Sequence, residues 1–250
     1  MQNENVIGKE IAVTGEGTTD YGTKEFGGEW HWGPVGVYLY KVAEKLNKSI
    51  SLIPIERKDV ESFHLGRSIS SLSGKAIPAR RFYAKAKAAG YSYGIYYSDT
   101  DKKVGTRNTK LDAERCWKEK YNEVAEGLNY DLKHFIPMIP LRMIESWILA
   151  DKSALEEVGD SLNFYPDREP EMLWGDEHNP DSNYPKCVLT RVVNKMKKKP
   201  KVSGMSLYVE IAENQNVEIL IERCPVSFEK FCEDYTGILN SEDMDKSGIK

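Results

Sequence analysis

Five carboxylates sit where residue type and spacing would permit metal-assisted chemistry. Glu16 and Asp20 share one glycine-flanked turn, GEGTTD, directly after the apolar run IAVT. Gly15 and Gly17 let that backbone turn tightly and approach a ligand closely. The turn lacks the Lys that ends a phosphate-binding P-loop. Asp99 and Asp101 form an SDTD sequence after a second apolar run, YGIYY. In extended backbone, residues two apart point the same way, so these two would crowd like charges. Magnesium, which takes hard oxygen ligands, relieves such repulsion. Glu145 lies in IESWILAD among Ile144, Trp147, Ile148 and Leu149. Burial there is costly unless the carboxylate is paired or metal-bound. Arg142, three residues earlier on the same predicted helix, is the alternative partner. Taken singly, each motif also has an ordinary explanation, as an acidic turn, a solvated loop or an ion-paired helix residue.

The elements needed to position these groups are legible as alternating patterns. Strands are predicted at Ile11–Thr14, Ile50–Ile55, Tyr93–Tyr97 and Phe135–Ile139, with Pro54 marking an edge or a strand end. Helices are predicted at Val35–Leu46, at Ile77–Ala89 before Gly90, at about Leu111–Glu126 before Gly127, and at Leu141–Ala150 with an apolar face. Strands alternating with helices imply an α/β domain with a mostly parallel central sheet flanked by helices. In such sheets ligands bind beyond the carboxyl ends of the strands. The acidic residues fall after IAVT, after YGIYY and shortly after FIPMI, so three strand ends deliver carboxylates to the place where a site belongs. Beyond residue 155 the pattern changes. The stretch from Leu162 to Lys186 reads as a long loop, Val188–Lys199 as a helix ending in the basic run MKKKPK, and the last third as short amphipathic helices. The organisation expected is a core over 1–155 with an insertion around 56–76, a loop and helical C-terminal extension over 156–240, and a polar tail over 241–250.

The totals set limits. The 250 residues are 40% hydrophobic and 30% charged, enough for a sizeable core. The net charge of −4 argues against a protein that merely coats nucleic acid, so any such contact must come from local basic patches or a partner. Cys116, Cys187, Cys224 and Cys232 form no CxxC pair and no zinc-finger spacing, as expected of thiols in a reducing compartment. The N-terminal MQNENVIGKE has no apolar signal core, and no run is long and apolar enough to span a bilayer. A cytoplasmic protein without membrane contact is the expectation.

An apolar strand, a Glu in a glycine-flanked loop and a second strand ending in DxD together resemble the Toprim domain of topoisomerases, bacterial primases and nucleases of the overcoming-lysogenisation-defect class. The spacing of Glu16 and Asp20 is similar to the nuclease branch. The likeness extends to a Toprim-related family that carries a helix like IESWILAD after a strand like FIPMIP, a Pro-Lys pair (here Pro185 and Lys186), and a segment like PVSFEKF (here Pro225 to Phe231). The resemblance implies a Toprim-like fold and a Mg2+- or Mn2+-dependent endonuclease acting on DNA or RNA. In it, Asp99 and Asp101 bind metal, Glu16 serves as ligand or general acid/base, and Asp20 and Glu145 complete a second metal position. Because members sit beside ATPase genes in phage-defence loci, it also implies an ATPase partner. Arg67, Arg80, Arg81, Lys102, Lys103 and Lys186 are the candidate nucleic-acid contacts, with Lys75 and the run Lys197–Lys199 as further cations. The stretch between Glu16 and Asp99 is longer than a minimal Toprim core needs.

Two other readings stay open. A Toprim-like domain would serve equally as a non-catalytic subunit that binds nucleic acid or a partner. The DxD would also suit a haloacid-dehalogenase-type phosphatase with Asp99 as nucleophile, although Lys103 departs from that motif. The aromatic cluster Trp30, His31 and Trp32 suits core packing, an interface anchor, or a stacking surface for a base.

Overall fold

The computed structural model describes residues 8–25, 27–66, 71–100 and 109–241; Arg67, Asp101, Lys102 and Lys103 lie outside the described residues. The strands are Lys9–Thr14 (β1), Gly22–Lys24 (β2), Trp30–Trp32 (β3), Ile50–Pro54 (β4), Tyr93–Tyr97 (β5) and Phe135–Met138 (β6). The helices are Pro34–Lys45 (α1), Arg57–Glu61 (α2), Ala76–Ala88 (α3), Lys110–Gly127 (α4), Ile144–Ile148 (α5), Lys152–Gly159 (α6), Pro185–Asn194 (α7), Met205–Asn214 (α8), Val217–Arg223 (α9) and Phe228–Asn240 (α10).

The fold is the expected α/β type, with a four-stranded sheet in the order β4-β1-β5-β6 and every pairing parallel. Parallel strands covered on both faces read as continuous apolar runs, and β5 and β6 are buried along their whole length. Pro54 ends one edge strand, and Pro137 lies in the other. Prolines are tolerated there because an edge leaves one side of the backbone unpaired. After β1 the chain adds β4 on one side, then crosses to add β5 on the other. The carboxyl ends of β1 and β5 therefore flank a topological switch point, where the two outgoing loops diverge and leave a crevice.

Helices α3 and α4 cover one face of the sheet through Ala79, Phe82, Tyr96, Val124 and Phe135. Helix α1 and the helices from α5 onward cover the other, around Leu39, Tyr97, Trp147, Ile211 and Phe228. Trp147 is the anchor of that second layer. Its ring meets Tyr38 at 5.6 Å and Phe228 at 4.9 Å, both edge-on, and its indole N–H donates to Ser227 Oγ at 2.8 Å. The last helix is tied back to the first strand, since Lys9 Nζ donates to the carbonyls of Ile238 and Ser241 at 2.8 and 2.7 Å. Among the described residues, no helix is long and apolar enough to cross a membrane.

Two expectations need correction. The helix predicted over Leu141–Ala150 is only Ile144–Ile148, because Arg142 adopts a left-handed φ of 84° and Met143 is extended. The whole segment is buried, so it has no solvent face. The helix predicted over Val188–Lys199 starts earlier, at Pro185, and stops at Asn194. The basic run is drawn out of the helix by backbone bonds from Lys197 N to Ser161 O and Lys198 N to Gly159 O, beside a bridge between Leu162 and Met196.

A buried carboxyl links these layers. Glu171, in the 3-10 turn Pro170–Met172, accepts hydrogen bonds from the amides of Val226 and Ser227 at 3.0 and 2.9 Å and from the Ser227 hydroxyl. It thereby satisfies donors at the start of α10. Burial pushes its carboxyl up to about 7, against the opposing pull of those hydrogen bonds. Because the folded value exceeds the ordinary 4.5, its contribution is fully present below about pH 4.5. It is lost as the pH rises through about 7, since the unfolded chain releases the proton first. Urea melts of the wild type and Glu171→Gln across that window should show the wild type losing on the order of 3 kcal/mol relative to the variant. A constant difference would mean that Glu171 does not titrate there.

Candidate functional site

The Glu16 loop is built by tight local geometry. Thr14 Oγ1 donates to Ile55 O at 2.7 Å and Tyr21 Oη to Val13 O at 2.7 Å, which pins both ends of the turn to the sheet. Asp20 N and Tyr21 N both donate to Gly17 O, at 3.2 and 3.0 Å. Gly17 has φ +75°, and a Cβ there would lie 3.1 Å from Asp20 Oδ2. A Cβ on Gly15 would lie 2.9 Å from the Tyr97 ring. One glycine therefore permits the turn, and the other lets the loop lie against β5.

The two carboxylates of this loop part company. Tyr96 and Tyr97 are adjacent on β5 and so face opposite sides of the sheet. On the Tyr97 side, its hydroxyl lies 3.1 Å from Asp20 Oδ2 and 2.7 Å from Asp99 Oδ1. A phenol has one proton to give, so these two carboxylates share a single donor. Glu145, 6% exposed, accepts a hydrogen bond of 2.9 Å from Tyr208 on α8. Burial, then the negative charges of Asp99, Asp20 and Glu145, holds the Tyr97 hydroxyl far above its usual range. Burial, then Glu145, Asp20 and Asp99, does the same to Tyr208. Both phenols thus remain donors, and three carboxylates from three strand exits converge on them.

Glu16 belongs to the other side. Its Oε2 accepts from Ser98 Oγ at 3.1 Å, and its Oε1 from Lys75 Nζ, at the start of α3. It shares a small cleft with Arg57, Arg81 and Tyr96. Burial raises the Tyr96 hydroxyl, with Glu16 adding to the effect. The switch point therefore carries a carboxylate–phenol cluster on one side and a carboxylate among cations on the other, joined through consecutive residues of the β5 exit. Thr100 Oγ1 steadies that exit by donating to Pro140 O at 2.7 Å.

The remaining sequence candidates are dispersed. Arg80 donates to the carbonyls of Glu126 and Gly127 at 2.7 and 2.6 Å, where it serves the carboxyl end of α4. Arg142 lies over the Trp174 ring at 4.6 Å. Lys186 is exposed in the first turn of α7. Three contributors were missed in the sequence. Tyr97 carried a signal, since it lies two residues before Asp99 on an extended strand. Tyr208 and Arg57 carried none.

The donors around Tyr97 are carboxylate and phenol oxygens, the hard ligands magnesium prefers, and magnesium often takes only one or two carboxylates beside substrate oxygens. Asp20 and Asp99 fit that role. Among the described residues, no group of three or more His, Cys, Asp or Glu side chains is arranged to hold a metal ion. No protein-family model, curated protein or solved structure matches the chain.

Tyr208→Phe removes the donor to a buried carboxylate while keeping the ring. It should lower unfolding stability by about 1–3 kcal/mol in a urea melt. An unchanged midpoint would mean that the Tyr208–Glu145 bond contributes nothing to the fold.

Proposed function

We propose that the chain is a cytoplasmic Mg2+-dependent (or Mn2+-dependent) nuclease that hydrolyses nucleic-acid phosphodiesters. The observation that carries this reading is the convergence of Asp20, Asp99 and Glu145 on the Tyr97 and Tyr208 hydroxyls at the topological switch point. The Toprim resemblance points the same way. An ATPase partner and a role in phage defence rest on that resemblance alone.

In this reading Asp20 and Asp99 would hold the ion, and the Toprim resemblance adds Asp101 to them. Tyr97 fixes the rotamers of the first two, and Tyr208 fixes Glu145 beside them. A bound ion supplies Lewis acidity toward the phosphate and lowers the pKa of a coordinated water. Glu16 accepts the proton of the attacking water, its two oxygens oriented by Lys75 and Ser98. Lys75 then offers its charge to the phosphate as Glu16 becomes protonated. Water is excluded from below by the apolar layers that bury Tyr96 and Tyr97.

Expression in cells, alone and with neighbouring genes, followed by inspection of DNA and RNA integrity, tests the proposal. Cutting by the wild type should fall by about 100-fold or more in Asp99→Asn and in Glu16→Gln. With purified protein, chelation should abolish cutting and Mg2+ or Mn2+ should restore it. Cutting that survives both substitutions would remove this site from the reaction. Hydrolysis of small phosphomonoesters without polymer cutting would favour the phosphatase reading of Asp99. Binding without any turnover, even with the partner present, would favour a non-catalytic subunit.

A further inference from the structure

Two clefts meet on the Glu16 side of the switch point, and the proposed catalysis leaves most of their residues unused. The smaller, about 200 Å³, is lined by Glu16, Arg57, Glu61, Arg81 and Tyr96. The larger, an open pocket of about 780 Å³, lies between the β2–β3 hairpin and α2 and is lined by Tyr21, Lys24, Trp30, Glu56 and Lys58. Gly15 and Arg57 belong to both, so the clefts are continuous around the Arg57 side chain.

Their charges cancel except at one residue. In the small cleft Glu16 is matched by Lys75 and Glu61 by Arg57, at 2.7 Å in the second pair. That leaves Arg81 as the surplus cation, with no carboxylate partner among the described residues and its buried Nε without an acceptor. In the large pocket Glu56 faces two cations, Lys58 at 2.7 Å and Lys24 at 3.9 Å, while Glu25 faces His31 at 3.3 Å. Counted over Asp, Glu, Lys and Arg, the large pocket is balanced, Lys24 and Lys58 against Glu25 and Glu56, so Arg81 remains the surplus cation of the joined clefts. The wall of the large pocket is aromatic. Trp30 lines it, backed by Tyr21 at 4.8 Å and Trp32 at 5.8 Å between ring centroids. A phosphate fits the first space, and the second falls within the range of pockets that enclose small molecules.

We infer that the two clefts form one subsite for a single unstacked nucleotide of the substrate strand, its phosphate at Arg81 and Arg57 and its base against Trp30. This deepens the nuclease reading and rests on it for the identity of the polymer. A base reaches Trp30 only when it has left its helix, so the substrate class is single-stranded or locally opened nucleic acid. Aromatic stacking of this kind tolerates any base, and the arginine charge follows the backbone.

Binding of a fluorescent single-stranded oligothymidylate, and of a duplex of equal length, is measured by anisotropy on the full chain carrying Asp99→Asn, with divalent metal chelated. The single strand should bind at least tenfold more tightly than the duplex and quench tryptophan emission. Trp30→Leu should weaken it about tenfold. Arg81→Gln should weaken it as well and reduce the slope of log affinity against log salt by about 0.7. If Trp30→Leu fails to fold by circular dichroism, Arg81→Gln alone decides. Equal affinity for duplex and single strand, no binding at all, or folded variants that bind like the parent would each overturn the subsite. Because the readout needs neither metal nor turnover, its failure is separable from that of the nuclease reading. Cutting that ignores Trp30 and Arg81 sinks only the subsite. Specific binding in a chain that never cuts leaves the subsite standing and sinks the nuclease.

Discussion

The register between β1 and β5 is the constraint on which the rest of the structure depends. Val13 lies opposite Ile95 and Thr14 opposite Tyr96, so the Glu16 loop emerges level with Ser98 and Asp99. A slip of one residue would exchange the faces of Tyr96 and Tyr97 and carry every side chain of β5 to the wrong layer. Gly94 prevents that slip. A Cβ there would lie 2.5 Å from the Phe135 ring and 3.0 Å from Phe82. The neighbours that a shift would bring to that point, Tyr93 and Ile95, are far larger than the space allows. A packing fact deep in one layer thus decides which carboxylates meet at the rim.

The architecture was legible because buried parallel strands announce themselves as continuous apolar runs, and because β1 and β5 each end in a change of polarity. The four strands and the helices α1, α3 and α4 stand within a residue or two of their expected bounds. What was not legible depends on tertiary contact. Glu16 and Asp20 share a turn, yet Lys75 and Ser98 draw one carboxylate to the α3 side while Tyr97 draws the other to the α1 side. No local pattern announces that Tyr208, 63 positions from Glu145, supplies its hydrogen bond. Arg142 breaks the helix expected at Leu141 through a backbone conformation rare for a long side chain, which no propensity scale anticipates. The basic run after Asn194 looks helical in composition and leaves the helix because backbone bonds to Gly159 and Ser161, at and just after the end of α6, compete successfully.

The phenols do double duty. The Tyr97 ring is part of the apolar layer beneath α1, and its hydroxyl is the shared donor of the acidic cluster. The same holds for Tyr208 of α8, whose ring belongs to that apolar layer and whose hydroxyl reaches Glu145. The carboxylates are therefore held by groups fixed in the core rather than by mobile loops, which favours the precision that positioned charge requires. The cost is that core and rim cannot vary independently. Losing either ring would open a void and release a carboxylate together.

The bond from Lys9 to the end of α10 has a consequence for how the chain is made. Its partners lie 229 and 232 positions downstream, so it cannot form until the ribosome has delivered α10. Contacts of such separation slow the search for the native state. The grip of Tyr208 on Glu145 and that of the Ser227 amide on Glu171 are late arrivals for the same reason. During synthesis Tyr97 is therefore at hand for Asp20 and Asp99 well before Tyr208 emerges to hold Glu145, and the acidic cluster is assembled in two stages.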